Sequence, residues 1–412
     1  MLRAAPMIEP PVAAEPVPPR EPLARLFLRF LAFGAMAWGG PVAQIAMLKA
    51  QLVEKERWIS PARFHRALAV YQVLPGPEAT ELCVYFGMLS RGRLGGLLAG
   101  LGFTLPGLAL MLVLSWAYVR FGTGHPWVQA AFLGIQAGVA ALIIRAVHRI
   151  GEHAMVGRWL VGLALAGFVA QWVGLHFLVI LGTAGLVFLG VRLGRTAAAA
   201  ALGLVVALGS AAGLLWLSSQ TGQEGPVPVR EALAPPGPAP LARLFLSGLK
   251  AGLLSFGGAY TLIPFLRRDA VLEAGWLTDG QFLDGIALGG VLPAPLVIFG
   301  TFVGYLAGGL PGALVMTLGI FLPAFAFTLI AHDALERLVE RPQIHAFLEG
   351  VTAAVVGMIA AVGLKLALSA VDSLASLAIF AVALAALYLL RHRLLIPLVV
   401  GGSAAAGLLL GR

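Results

Sequence analysis

The stretch from Val70 to Gly87 reads VYQVLPGPEATELCVYFG, and its reading decides how the chain is built. It is apolar enough and long enough for a membrane helix, yet Pro75-Gly76-Pro77 interrupts its middle. The two prolines remove two backbone donors and push Leu74 and Gly76 out of the α region, so a helix breaks here. A second helix can start at Pro77, a favoured first-turn residue. In lipid every freed amide and carbonyl needs a partner, so such a break survives only inside protein or beside a polar cavity. The same device returns at Val291-Leu292-Pro293-Ala294-Pro295. Matched broken segments, one per half, are the best sequence pointer to a transporter's binding site.

Composition agrees with a membrane setting. Of the 412 residues 59% are hydrophobic and only 11% charged, with a mean hydropathy of +0.92. These values exclude a soluble domain of this size and predict an all-α polytopic membrane protein. The formal charge is +9, which in such a protein reflects cytoplasmic Lys and Arg and gives no reason to expect nucleic acid as a partner. Cys83 is the only cysteine, excluding an intrachain disulfide and a cysteine metal cluster. Residues 1–22 are Pro-rich without an apolar run, which predicts a disordered tail rather than a signal peptide.

Thirteen apolar segments follow, near 26–48, 67–90, 94–119, 128–150, 158–172, 175–191 and 196–217, then 244–266, 282–307, 310–331, 346–368, 374–390 and 395–410. Between the two groups, 218–240 is polar and rich in Pro and Gly, a linker that divides a first half (23–217) from a second (241–412). The halves repeat. Leu23 to Leu28 recurs letter for letter as Leu241 to Leu246, and at the same offset of 218 Gly39-Gly40 falls on Gly257-Gly258, Trp58 on Trp276, Phe64 on Phe282 and Leu74-Pro75 on Leu292-Pro293. After one deletion Gly87 meets Gly304, Gly95 meets Gly312 and Pro106 meets Pro323, the pattern of an internal duplication. Equivalent helices lie seven segments apart, an odd number, so the halves are expected in opposite orientations: an inverted repeat. With the N-terminus inside, Lys and Arg divide 17 to 9 in favour of the cytoplasmic side, although the basic loop 49–66 falls on the wrong one.

The candidate site follows from the breaks. Each half opens with a glycine pair, Trp38-Gly39-Gly40-Pro41 or Ser255-Phe256-Gly257-Gly258, and 35 residues after each pair comes the proline break. All four interruptions are expected near the bilayer midplane, where half-helix N-termini would turn amides toward an anion. The amides following Pro77 (Glu78, Ala79, Thr80) and Pro295 (Leu296, Val297, Ile298) are the expected donors. Gln44, Gln72, Ser255, Tyr260, Thr261 and Thr301 are candidates for further hydrogen bonds. With Pro293 these residues make up the candidate substrate site. The opposing view, that the breaks only kink or pack helices, suits one break better than two matched pairs.

Glu78 and Glu81 stand just after the first break, where the second half has Leu296 and Phe299. A carboxylate at membrane depth is functional by default, so the pair are candidate proton carriers; capping of its own half-helix is the alternative for Glu78. Lys250 either adds positive potential near the site or snorkels to the interface, and Arg66, Asp284, Glu349 and Lys365 could pair with one another or line a vestibule. No Gly-x4-Gly-Lys-Ser/Thr, His-Glu-x-x-His or Gly-x-Ser-x-Gly pattern occurs, so neither ATP drive nor a cofactor or metal is expected. A membrane enzyme or a receptor is the reading these absences oppose.

The order WGGP or SFGG, a tryptophan, LPGP or LPAP, then a Gly-rich span closing on Leu-Pro-Gly or Leu-Pro-Ala resembles the chromate ion transporter family in its long, two-domain form. The resemblance covers 23–112 and 241–330. It implies an inner-membrane exporter of chromate, a tetrahedral dianion, driven by the proton motive force. Its implied partners are the oxyanion, protons and the lipid bilayer, and a homodimer is compatible with it. The family's Gly-Gly-Pro falls on Gly39, Gly40 and Pro41, its Pro-Gly-Pro on Pro75, Gly76 and Pro77. Trp38 stands for the usual Phe and Ala294 for Gly, the second suggesting that the first half carries more of the binding.

Overall fold

A computed structural model describes residues 16–121, 125–206, 238–255, 259–339, 341–390 and 394–410. Most of the expected tail and linker, residues 207–217, and Gly257 and Gly258 lie outside them. The described residues form helices and connections without a strand. Four helical stretches are long and apolar enough to cross a membrane: Glu78–Phe121, Trp127–Glu152, Leu296–Ala331 and Pro342–Ala370.

The sequence predicts interrupted spans over 26–48, 67–90, 244–266 and 282–307. In the structure each of the four doubles back at its interruption instead. Helix α1 (Leu23–Ala35) is followed by α2 (Gly40–Leu48), which continues as a π-turn over Lys49–Lys55. A straight rod would hold Arg29 and Glu56 about 40 Å apart, yet Arg29 Nη1 donates to Glu56 Oε1 at 2.6 Å. Helix α3 (Pro61–Val73) and the start of α4 (Glu78–Phe121) form a second hairpin, closed by Arg63 Nε on Tyr85 Oη at 3.0 Å and Phe64 stacked on Phe86. The reversal at this tip is set by Pro75, Pro77 and Gly76, whose φ of +155° disfavours a side chain.

A further reversal interrupts α4 at Arg91 and Gly92, the latter at φ 62°, and brings Gly87 against Gly95. Only from there does residue stretch 93–121 run on unbroken. Helices α5 (Pro126–Ala154), α6 (Arg158–Trp172), α7 (Phe177–Arg192) and α8 (Thr196–Val206) follow.

The second half repeats the plan. Helix α9 (Leu241–Leu253) pairs with the return through α10 (Ile263–Arg267) and a π-turn over Arg268–Glu273, where Ser247 Oγ donates to Asp269 at 2.8 Å. Helix α11 (Asp279–Val291) and the start of α12 (Phe299–Val339) form the other hairpin, with Gly285 against Phe302. Gly309 reverses α12 at φ 62°, matching Gly92. Helices α13 (Pro342–Ala370), α14 (Leu374–Leu389) and α15 (Leu395–Leu410) complete the chain.

Equivalent long helices pack against each other in opposite directions. Gly96 of α4 meets Leu329 of α12 while Gly100 meets Phe325. Gly151 of α5 meets Val356 of α13 while Gly363 meets Ile143. Small residues at these crossings let the backbones close up, as membrane helices require in the absence of a hydrophobic drive between them.

One end of the first half is stapled by polar contacts. Arg29 binds Glu21 and Glu56 and lies over Trp58 at 5.6 Å, and Ser90 Oγ donates to the Pro19 carbonyl. Burial works to raise the Glu56 carboxyl, but hydrogen bonds from Gln51, Trp58 and Arg29 outweigh it and hold the group below the usual range. Glu56→Gln is expected to cost about 1.5–3 kcal/mol, read as a lower melting temperature in detergent. In the native chain this contribution is complete above the carboxyl's unfolded value and is lost as pH falls through the lower folded one.

Candidate functional site

The tips of the hairpins converge. The Gly76 amide, between the two prolines of the α3–α4 tip, donates to the Ser255 carbonyl of the α9 tip at 3.1 Å. A Cβ on Gly76 would lie 2.8 Å from Glu81 Oε1 and 3.1 Å from Ala324 Cβ of α12. The equivalent pair is also in contact: Ala294, between Pro293 and Pro295, packs on Gly107 of α4. Each second-hairpin tip thus rests on the long helix of the other half. Pro75, Pro77, Pro293 and Pro295 are all buried.

The two tips are bonded differently. Gly76 reaches across the molecule, whereas the Ala294 amide closes locally on the Leu292 carbonyl at 2.9 Å. The position matching Ser255 is Ala37, whose carbonyl accepts Gln44 Nε2 at 2.9 Å. The Ala-for-Gly departure in the sequence therefore coincides with a cross-molecule bond present on one side and replaced by local bonds on the other.

The expected amide donors are fewer than the sequence suggests. Thr80 and Glu81 amides close on the Pro77 carbonyl at 2.8 and 3.2 Å, and the Ile298 amide closes on Pro295 at 2.9 Å. These turns use Thr80 and Ile298, and the amides of Glu78, Ala79, Leu296 and Val297, at first-turn positions, have no partner within their own helix. Gly39 and Gly40 take φ values of 91° and 78°, and Pro41 opens α2. Ser255 Oγ is committed to the Gly252 carbonyl, and Thr301 to Thr317 at 2.7 Å, so neither hydroxyl is spare. Tyr260 is half-buried and Gln72 exposed on α3, so Gln72 stands apart from the buried tip.

Buried polar atoms without partners occur on both hairpins of the first half. Glu81 is fully buried with no hydrogen-bond partner for either carboxylate oxygen among the described residues. The Thr80 hydroxyl and Gln44 Oε1 are likewise buried and unpartnered among the described residues. Glu78 lies one helical turn before Glu81 and acts on it electrostatically. An apolar interior does not hold a bare carboxylate, so Glu81 needs a proton or a bound partner.

Other charged residues sit elsewhere. Lys250 pairs with Asp269 at the base of its hairpin, and Lys365 Nζ donates to the Trp172 carbonyl at 2.9 Å. Glu349 pairs with His345, and Arg66 is exposed, so these residues do not pair with one another. Asp284 is held by Tyr118 and Gln136, two residues that carry no sequence signal.

The family model described as Chromate transporter matches residues 24–215 and again 242–408, one copy on each half. The chain belongs to the chromate transporter family. A chromate transport protein of Pseudomonas aeruginosa is 52% identical over 95% of this chain and 94% of its own length. One from Cupriavidus metallidurans is 33% identical over 95% of this chain and 94% of its own. A probable chromate transport protein of Synechococcus elongatus is 30% identical over 95% and 97%. No solved structure matches. The double match falls on the same duplication that the hairpins display, and the family and the apolar helices together make the chain a multi-pass membrane protein.

Proposed function

We propose that this protein is a secondary active transporter that exports chromate across the inner membrane, coupled to the proton motive force. The observation that carries the reading is the contact of opposed hairpin tips, Gly76 on Ser255, beside the free first-turn amides of α4. Such a site suits a tetrahedral oxyanion, since the amides and the partial positive charge of the half-helix converge on one point. Relatives named as chromate transport proteins support chromate as that anion.

The hairpins also bear on topology. Taken as re-entrant, they leave five crossings in the first half and four in the second, counting 196–217 as one. Five is still odd, so an inverted repeat follows, and the antiparallel packing of α4 on α12 supports it. Lys49, Lys55, Arg57, Arg63 and Arg66 then join Arg91 and Arg93 on the N-terminal side. Arg267 and Arg268 pass to the opposite side with the second-half hairpins, and the division becomes 20 to 6, which supports a cytoplasmic N-terminus.

Glu78 and Glu81 supply the coupling. Ionised, Glu78 competes with an anion for the helix N-terminus; protonated, it does not. Glu78 therefore takes up its proton in step with anion binding or release, which couples the two movements. Labelled chromate and sulfate uptake into everted vesicles, with and without a pH gradient, tests the reading. Chromate uptake stimulated by the gradient is expected, and sulfate carried in preference would make the protein a sulfate carrier on the same scaffold. Glu78→Gln is expected to transport with its pH-gradient stimulation reduced about tenfold; full stimulation in that variant sinks the role given to Glu78.

A further inference from the structure

A second buried carboxylate lies outside the hairpin tips. Asp284 sits on α11 of the second half, nine residues before Pro293, about 13 Å from the tip along the helix. It is 3% exposed. Its two oxygens accept from the first half: Oδ2 from Tyr118 Oη of α4 at 2.7 Å, and Oδ1 from Gln136 Nε2 of α5 at 3.0 Å. Tyr118 is itself fixed between the rings of Phe132 and Phe302, at 5.1 and 4.9 Å. Among the described residues Asp284 has no ion pair. Among the described residues its hydrogen-bond partners are Tyr118 of α4 and Gln136 of α5, both neutral.

A structural role does not account for this choice. A buried carboxylate facing only neutral donors is commonly less stable than an apolar residue of the same volume. An ionisable group kept at membrane depth marks a proton or substrate pathway. The chemistry here suits a proton. When Asp284 Oδ2 takes one up, the Tyr118 hydroxyl turns from donor to acceptor, Gln136 still donates to Oδ1, and the site passes from one negative charge to none. Both states keep the Tyr118–Asp284 and Gln136–Asp284 bonds, so the proton exchanges without dismantling the contact between halves.

We propose that Asp284 is a further proton-carrying carboxylate of the transport cycle, exchanging its proton through Tyr118. Each half then carries such chemistry on its second hairpin, Glu78 and Glu81 just after the first-half tip and Asp284 before the other. The inference rests on the transporter reading above, and the test separates the two. Vesicles bearing the native chain, Asp284→Asn or Tyr118→Phe are assayed for labelled chromate counterflow, which needs no net proton movement, and for uptake driven by a pH gradient. Asp284→Asn is expected to keep counterflow within about twofold while losing gradient stimulation about tenfold, with a flattened pH profile. Tyr118→Phe is expected to shift that profile. Full gradient stimulation in Asp284→Asn overturns the proposal, as does loss of counterflow and stimulation together, which would make Asp284 structural. If Asp284→Asn does not accumulate, Asp284→Glu decides: a displaced pH profile supports the role and an unchanged one overturns it. Absence of chromate counterflow in the native chain defeats the transporter reading itself, and this inference with it.

Discussion

Gly76→Ala is expected to abolish chromate resistance while the protein still reaches the membrane. At φ +155° a side chain is strained whatever the space around it, and here the new methyl meets Glu81 Oε1 at 2.8 Å and Ala324 Cβ at 3.1 Å. Strain of this kind costs about 1–3 kcal/mol. A tip that shifts to relieve the strain also gives up its bond to the Ser255 carbonyl, about 1 kcal/mol more. Together they oppose the arrangement in which the opposed tips meet, and each 1.4 kcal/mol is worth about a factor of ten. The expected transport rate in vesicles is therefore down at least about tenfold. The reverse exchange at the matching position, Ala294→Gly, removes only the methyl that packs on Gly107 and is expected to be tolerated. Native transport by Gly76→Ala would move the site away from this tip.

Glu81→Leu is expected to raise stability and remove transport. Both carboxylate oxygens of Glu81 are buried without a hydrogen-bond partner among the described residues, so the group opposes folding in any ionised state. An apolar replacement removes that penalty, and replacing buried charges by apolar groups has gained about 1–4 kcal/mol in comparable settings. The matching position already holds an apolar residue, Phe299. A higher melting temperature in detergent together with lost chromate uptake is the expected pair of results. Unchanged uptake would reduce Glu81 to a packing residue, and a lower melting temperature would mean that its oxygens have partners that stabilise the fold.

The backbone breaks of the candidate site were legible because proline and glycine act locally. Pro75, Pro77 and the Gly39-Gly40 pair constrain the backbone whatever surrounds them, so the breaks and the two-half plan follow from the chain alone. The hydroxyls of Ser255 and Thr301 were less legible. A hydroxyl on a helix has its own preceding carbonyl or a neighbouring hydroxyl within reach, and both residues take such partners. Tyr118 and Gln136 were invisible, since nothing along the chain ties a tyrosine in one half to an aspartate 166 residues away.

By itself, then, the sequence determined an all-α membrane protein built twice, with a break where Pro75 and Pro293 stand and a carboxylate pair after only the first. Tertiary structure decided what each break does. A proline removes a donor but does not choose between a kinked span and a hairpin, because that choice depends on what the second arm packs against. Here Phe86 finds Phe64, and Glu56 finds Arg29, so the arms return. Packing also decided which tips meet, since Gly107 and Ala324 admit the opposite half only where their small side chains leave room.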